Sequence, residues 1–296
     1  MKTHLYENIK IKKSNTNQVT TLIETDILPV IKFPALADTG LVEHGFSTRL
    51  GGKSEGNYAS MNLSFTRGDD NEAVMENFKR FGRAVLMDYE DMVFTDQTHT
   101  TNVRIVTKED KGKGIIKARD YTDIDGLVTN QPGIPLVTFY ADCVPLFFID
   151  PVREVIALSH SGWRGSVHKM GKKTVEIMQR EFKSNPADII TAIGPSICQS
   201  CYEIGSDVAR QFKEAFSEEA YADFMYQKSK ENYHLDLWKA NEHVLREAGI
   251  LPRHIAVTDI CTCCNSEVLW SHRRSGAKRG SLAAFLMLKN RSVDHE

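Results

Sequence analysis

Hydrophobic and polar positions change period several times along this chain, and each change marks an element. Between Pro135 and Gly162 two dense apolar runs, PLVTFYADCVPLFFID and REVIALSHSG, are joined through Asp150-Pro151. Asp favours the first position of a turn and Pro presets φ at the second, so the pair predicts a β-hairpin. With Asp150–Arg153 as the turn, Ile149 pairs with Glu154. Cys143 then lies directly opposite His160 on one sheet face, with Cβ atoms about 4.5–5.5 Å apart. From about Asn71 to Met87, Val74, Phe78, Phe81 and Val85 recur near helical spacing. A second helix is expected from about Ser166, its stripe of Val167, Met170, Thr174, Met178 and Phe182 reading as core packing. Ser206 is expected to cap a helix over the Asp207–Phe216 region, and another spans about Leu235 to Ala248 and stops at Gly249. Strands are predicted at Met92–Thr95, Val103–Val106, Gly126–Val128, Ile189–Ile193 and Ala277–Leu288. The first forty residues read as short strands and turns. Residues 44–65, rich in Gly, Ser and Asn, read as a long ordered loop.

Strands and helices interleave, and at least one hairpin is antiparallel, so the fold class expected is α+β with mixed sheets. No internal repeat or long Pro/Gly/Ser linker divides the 296 residues. One large domain is therefore expected, with residues 1–40 contributing strands and turns to it and 41–296 forming its catalytic part.

Composition narrows the function classes. Hydrophobic residues make up 41% and charged residues 26%, which is ordinary for a globular protein. A formal net charge of −2 argues against a nucleic-acid coat or a basic membrane-surface protein. The start, MKTHLYENIKIKKSNTNQ, lacks an apolar core of the secretory kind, and no stretch approaches the roughly 20 apolar residues of a membrane span. The six cysteines do not resemble a secreted disulfide framework, so a cytoplasmic location is expected.

Cys143 and His160 on one face could share a metal ion, given Zn–S and Zn–N lengths of about 2.3 and 2.1 Å. A catalytic zinc site needs a third protein ligand. His99 in TDQTHTTNV competes for that place with His44, His168, His234, His254 and His272. The same pair could instead act without metal, as a thiolate nucleophile and its imidazole base. Asp142 points away from Cys143 in a regular strand and is kept as an anchoring group. Cys198-x-x-Cys201 is the spacing of a structural zinc site, but Cys261-x-Cys263-Cys264 departs from the ribbon pattern and argues against one. Arg49, Arg164, Arg273 and Arg274 lie in polar loops, where guanidinium groups suit an anionic or phosphate-bearing substrate. No Walker A or dinucleotide-binding pattern occurs in the right context.

Seven blocks occur in order: HGFSTRLGG, DQTHT, DGLVTN, ADCVPL, SHSGWRG, GPSIC with CYEIG, and CT with SHRRSG and RG. Together they resemble the YfiH family, also called the laccase-domain or polyphenol-oxidase family, from about residue 40 onward. The resemblance implies a single sandwich-like domain and a zinc site on His99, Cys143 and His160. It implies purine nucleoside chemistry: phosphorolysis of adenosine, inosine and methylthioadenosine, and adenosine deamination. Arg49, Arg164 and Arg273 would then contact phosphate or ribose. Copper is less expected than zinc, because one Cys/His₂ set offers too few ligands for a multicopper oxidase. Two rivals stay open. One is an amidase acting on a peptidoglycan precursor through Cys143. The other is a non-catalytic metal- or nucleotide-binding protein using the loop around Tyr58 to Phe65 as its contact surface.

Overall fold

The computed structural model describes residues 9–14, 19–25 and 28–290. Its first third holds β1 (Thr21–Glu24), β2 (Pro29–Lys32), helix α1 (Pro34–Ala37), β3 (Val42–Ser47) and α2 (Asn71–Ala84). Then come β4 (Val93–Phe94), β5 (Val103–Ile105), β6 (Gly126–Thr129), β7 (Leu136–Tyr140), β8 (Val144–Asp150) and β9 (Val155–Ser161). Helices α3 (Trp163–Val167) and α4 (Met170–Phe182) precede β10 (Ile190–Ile193) and β11 (Glu203–Gly205). After α5 (Ser206–Ala215) and α6 (Glu218–Phe224) follow β12 (Met225–Gln227), β13 (Asn232–Leu235) and α7 (Leu237–Glu247). The chain closes with β14 (Ile255–Val257), α8 (His272–Ser275) and β15 (Leu282–Leu288).

The strands make two six-stranded mixed sheets, ordered β1-β2-β3-β15-β7-β4 and β14-β10-β8-β9-β6-β5, and a small antiparallel sheet β11-β13-β12. The two large sheets pack face to face. Phe46, Leu136, Tyr140 and Leu286 of the first meet Leu127, Phe147, Ile149, Ile156 and Leu158 of the second. Alternate residues of β8 and β9, among them Val144, Leu146, Phe148, Val155 and Ala157, face α4, α7 and the small sheet instead. Both faces of this hairpin are therefore covered, which is why its sequence is apolar almost without alternation. On the outer face of the first sheet, α2 lays Phe78 and Phe81 against Phe285, with Phe81 stacked on it at 4.5 Å. The result is a four-layer single domain of the expected α+β class with mixed sheets.

The elements largely follow the predicted pattern, with instructive departures. The β8–β9 register pairs Ile149 with Ile156 and Pro145 with His160. It is displaced by two residues from the expected Ile149–Glu154 and Cys143–His160 pairing. The turn is Pro151–Glu154, one residue later than expected. Asp150 belongs to the strand, and its Oδ1 accepts from the Val152 and Arg153 N–H groups. The helix expected from about Ser166 is two pieces, broken at Lys169, whose φ is +61°. Ser206 is the first residue of α5 and not its cap; Gly205 holds that place, and the Ser206 hydroxyl donates to Glu231 instead. The final strand starts only at Leu282, because the chain turns and bends over 276–279 after the short α8, which Ser271 caps. Of the loop expected over 44–65, residues 44–47 belong instead to β3, where they pair with β15 and β2, and the remainder is an ordered loop. Buried Asn77 donates to Ser54 Oγ, Ser60 O and Asn62 O, and accepts from Lys53 N at 2.6 Å. Among the described residues no helix is long and apolar enough to cross a membrane.

Candidate active site

Where β9 ends and β8 begins, the layer between the large sheets opens into a cavity of about 620 Å³, within the range usual for small-molecule sites. Cys143, in the bend just before β8, and His160, near the end of β9, both face it. The two-residue register shift leaves them on the same face, because side chains alternate with a period of two. They are diagonal neighbours and not an opposed pair. His99 comes in from the loop after β4. One donor atom from each of His99, Cys143 and His160 lies within 4.8 Å of the others, a grouping able to hold a metal ion.

Asp125, immediately before β6, holds this grouping together. Its carboxylate accepts from the backbone N–H groups of Thr98, His99 and Thr100 at 3.1, 3.2 and 2.8 Å. Those three bonds fold the loop so tightly that His99 takes a left-handed φ of +67°. Asp125 Oδ1 also lies 2.8 Å from His160 Nδ1, which leaves Nε2 free to face Cys143. A carboxylate behind a histidine in this way fixes the ring and its tautomer for metal ligation. Gly162 closes the group from behind. A Cβ there would stand 3.0 Å from Cys143 Sγ and 3.1 Å from His99 Cδ2, so a side chain would press on both ligands.

The electrostatics favour a thiolate. Burial raises the Cys143 pKa, but the charge of His160 and hydrogen bonds with His160 and His99 outweigh it and bring the thiol to about 6. Burial likewise disfavours the His160 cation, yet Cys143 and Asp125 lift it to about 9. Burial disfavours the Asp125 charge too, but the His160 bond and the backbone donors keep it below the usual carboxylate range. A soft thiolate with two imidazoles is a donor set that fits one transition-metal ion with an open position.

The predicted arginines divide. Arg273 lines the cavity; its Nη1 and Nη2 donate to Cys201 O and Glu203 O at 3.2 and 2.9 Å. Arg49 and Arg164 do not line it. The Arg49 guanidinium donates to Ala59 O and Ser266 O and lies 3.8 Å over the Trp270 ring, while Arg164 lies over Trp163. Arg67 and Arg279 line it instead. Arg279 is 5% exposed, and its Nε is buried with no hydrogen-bond partner. Its pKa is lowered to about 10, first by burial and then by the charge of Arg67. Neither makes an ion pair among the described residues. Arg67 lies in none of the seven sequence blocks, and Arg279 enters them only as the Arg of the closing RG. That Arg-Gly pair in the last block was the signal that could have found Arg279. Asp125 sat in the DGLVTN block without a role.

Asp142, expected to anchor, does so: with φ +86° it accepts from Thr262 Oγ1 and from Arg273 N, both at 2.6 Å. The remaining histidines considered as third ligand sit elsewhere, apart from His272, which lines the cavity without joining the donor group. Ser64 and Phe65, from the loop considered as a contact surface, form part of the cavity wall.

The chain is 35% identical over 250 residues to purine nucleoside phosphorylase YlmD of Bacillus subtilis, covering 83% of this chain and 88% of that one. It is 33% identical to adenosine deaminase RL5 of an unknown prokaryotic organism, over 79% of this chain and 90% of that one. The crystal structure of the Bacillus licheniformis hypothetical protein YfiH superposes with a TM-score of 0.83 at 32% identity, covering 88% of this chain and 96% of that chain. The profile of the multi-copper polyphenol oxidoreductase laccase family matches residues 43–289, and to that family, the laccase-domain or YfiH family, this chain belongs.

Proposed function

We propose that this protein is a zinc-dependent purine nucleoside phosphorylase acting on adenosine, inosine and methylthioadenosine, with adenosine deaminase activity at the same site. The observation that carries the reading is the meeting, in one cavity, of the His99/Cys143/His160 donor set with Arg67 and Arg279, two guanidinium groups without a carboxylate partner among the described residues. The activities for which the relatives above are named support it. His99, Cys143 and His160 would hold the ion, which when bound supplies Lewis acidity and a water of lowered pKa. Asp125 keeps the His160 ring oriented and its Nδ1 proton in place. Inorganic phosphate would lie between Arg67 and Arg279, where a dianion relieves the repulsion of two neighbouring cations and takes up the unpartnered Nε. These two residues are better placed for phosphate than Arg49 and Arg164, whose guanidiniums are engaged outside the cavity. Phe139 and Tyr202 offer aromatic faces for a purine. A laccase reaction needs several copper centres, and three donors hold one ion.

The test is adenosine turnover followed by chromatography, with and without phosphate, alongside metal content. We expect adenine release that requires phosphate, together with inosine formation, and loss of both with the metal in Cys143→Ala. Arg67→Ala should raise the phosphate KM by about 10- to 100-fold, as expected for a charge-assisted bond of about 1.5–3 kcal/mol. Zinc-loaded enzyme that converts none of the three nucleosides would overturn the reading. The Cys143–His160 ion pair supports a second reading, an amidase acting on a peptidoglycan precursor through a cysteine nucleophile. Amide hydrolysis that survives removal of the metal would select it. Retained zinc without turnover of either substrate class would leave a binding protein.

A further inference from the structure

A second group of donors lies outside the cavity. The sulfur atoms of Cys198, Cys201, Cys261 and Cys264 all lie within 4.8 Å of one another. Cys201 Sγ and Cys264 Sγ are 3.5 Å apart, and all of these cysteines are free. Four sulfurs around one zinc at about 2.3 Å stand about 3.8 Å apart, so the observed group is close to the size of a filled tetrahedral site. Disulfides need sulfurs about 2.05 Å apart.

The sequence spacing is better than it first reads. With Cys263 set aside, the two halves are Cys198-x-x-Cys201 and Cys261-x-x-Cys264, each the two-residue spacing of structural zinc sites. Cys263 does not join the group. The fold brings the halves together because β10 and β14 run parallel as neighbours, and each half lies in the loop that follows one of these strands. A bridge between Ser196 and Cys261 continues the pairing beyond the strands. The backbone N–H groups of Cys198 and Cys264 both donate to Cys261 Sγ, at 3.3 and 3.4 Å. Such N–H···S bonds neutralise charge on a metal-bound thiolate and hold it in place.

We propose that these four cysteines form a structural zinc site that clamps the wall of the active-site cavity. Residues beside the ligands reach the cavity directly. Ile197 and Tyr202 line it, and Arg273 is held by Cys201 O. Ile197 N donates to Asp142 O at 3.0 Å, and Thr262 Oγ1 donates to the Asp142 carboxylate, one residue before Cys143. An ion on the four sulfurs ties both loops to the segment that carries Cys143.

The inference is independent of the substrate, and its test counts metal. The full-length protein is purified, incubated with excess Zn²⁺, dialysed and analysed for zinc. We expect two equivalents in the wild type, one in Cys143→Ala and one in Cys264→Ser, where the exposed ligand is chosen to spare the fold. Replacing zinc with Co²⁺ in Cys143→Ala should give the intense thiolate-to-metal charge-transfer bands of a tetrahedral all-sulfur site. Circular dichroism confirms that each variant is folded. The proposal is overturned if folded Cys143→Ala retains no zinc, or if Cys264→Ser binds as much zinc as the wild type. Disulfides among these cysteines in anaerobically prepared protein would overturn it equally.

Discussion

At the scale of the residue, Asp125 joins the loop of His99 to the ring of His160, so one carboxylate orders two members of the donor group that it never has to touch through a metal. Asp125→Asn removes the charge and turns one acceptor into a donor facing N–H groups. Zinc affinity should fall about 10- to 100-fold, measured by competition with a chelator, as is usual when a carboxylate behind a ligand is lost. An unchanged affinity would show that the loop and the ring hold their positions without it. Gly162→Ala probes the same group from the other side. The added methyl meets Cys143 Sγ at 3.0 Å and His99 Cδ2 at 3.1 Å, so it should weaken zinc binding while the melting temperature of the metal-free protein moves by only a few degrees. Equal binding by the variant would mean the two ligands can step aside.

At the scale of the element, β3 carries a buried histidine with a consequence for pH. His44 is 1% exposed, and its Nε2 accepts the Phe33 N–H at 2.8 Å. Burial, helped by the charge of Lys32, lowers its pKa to about 3, so it stays neutral in the folded state. The unfolded chain takes up a proton near pH 6.5 and the folded chain only near 3. Stability from this group is therefore complete above about pH 6.5 and declines as pH falls, by up to about 1.4 kcal/mol per pH unit. Urea unfolding of wild type and His44→Gln should show their difference narrowing by roughly 2 kcal/mol between pH 7.5 and 5. The hairpin shows how far pattern reading reaches. Its two apolar runs gave both strands and the shared face of Cys143 and His160. The register was missed because Asp150 reads equally well as the start of the turn or as a strand end that caps it. A shift by two preserves faces, so the functional pairing survived the error. The small sheet had no such pattern: β11 and β12 have three residues each, too short to show a period. Arg67 and Arg279 were illegible for another reason. Which arginine lacks a partner depends on what the fold brings near it, and adjacency in sequence does not carry that.

At the scale of the whole molecule, the site exists only where distant segments meet. His99 follows β4, Cys143 precedes β8, His160 lies near the end of β9, and Arg279 precedes β15. The last strand lies between β3 and β7, in the middle of the first sheet. It brings Phe285 and Leu286 to opposite faces of that sheet, both fully buried. A chain ending at Gly280 loses this strand and leaves β3 and β7 without their shared partner. It should fail to give a soluble cooperative fold, as judged by size-exclusion chromatography and thermal unfolding. A soluble product with a sharp transition would show that the remaining strands re-pair.

The same placement sets an order on biosynthesis. The residues that complete the centre of the first sheet are synthesised after both of the strands whose edges they join. Until then the growing chain presents two unpaired strand edges and the apolar surface meant for Phe285. The first sheet can therefore close only when β15 arrives, after every strand that it joins.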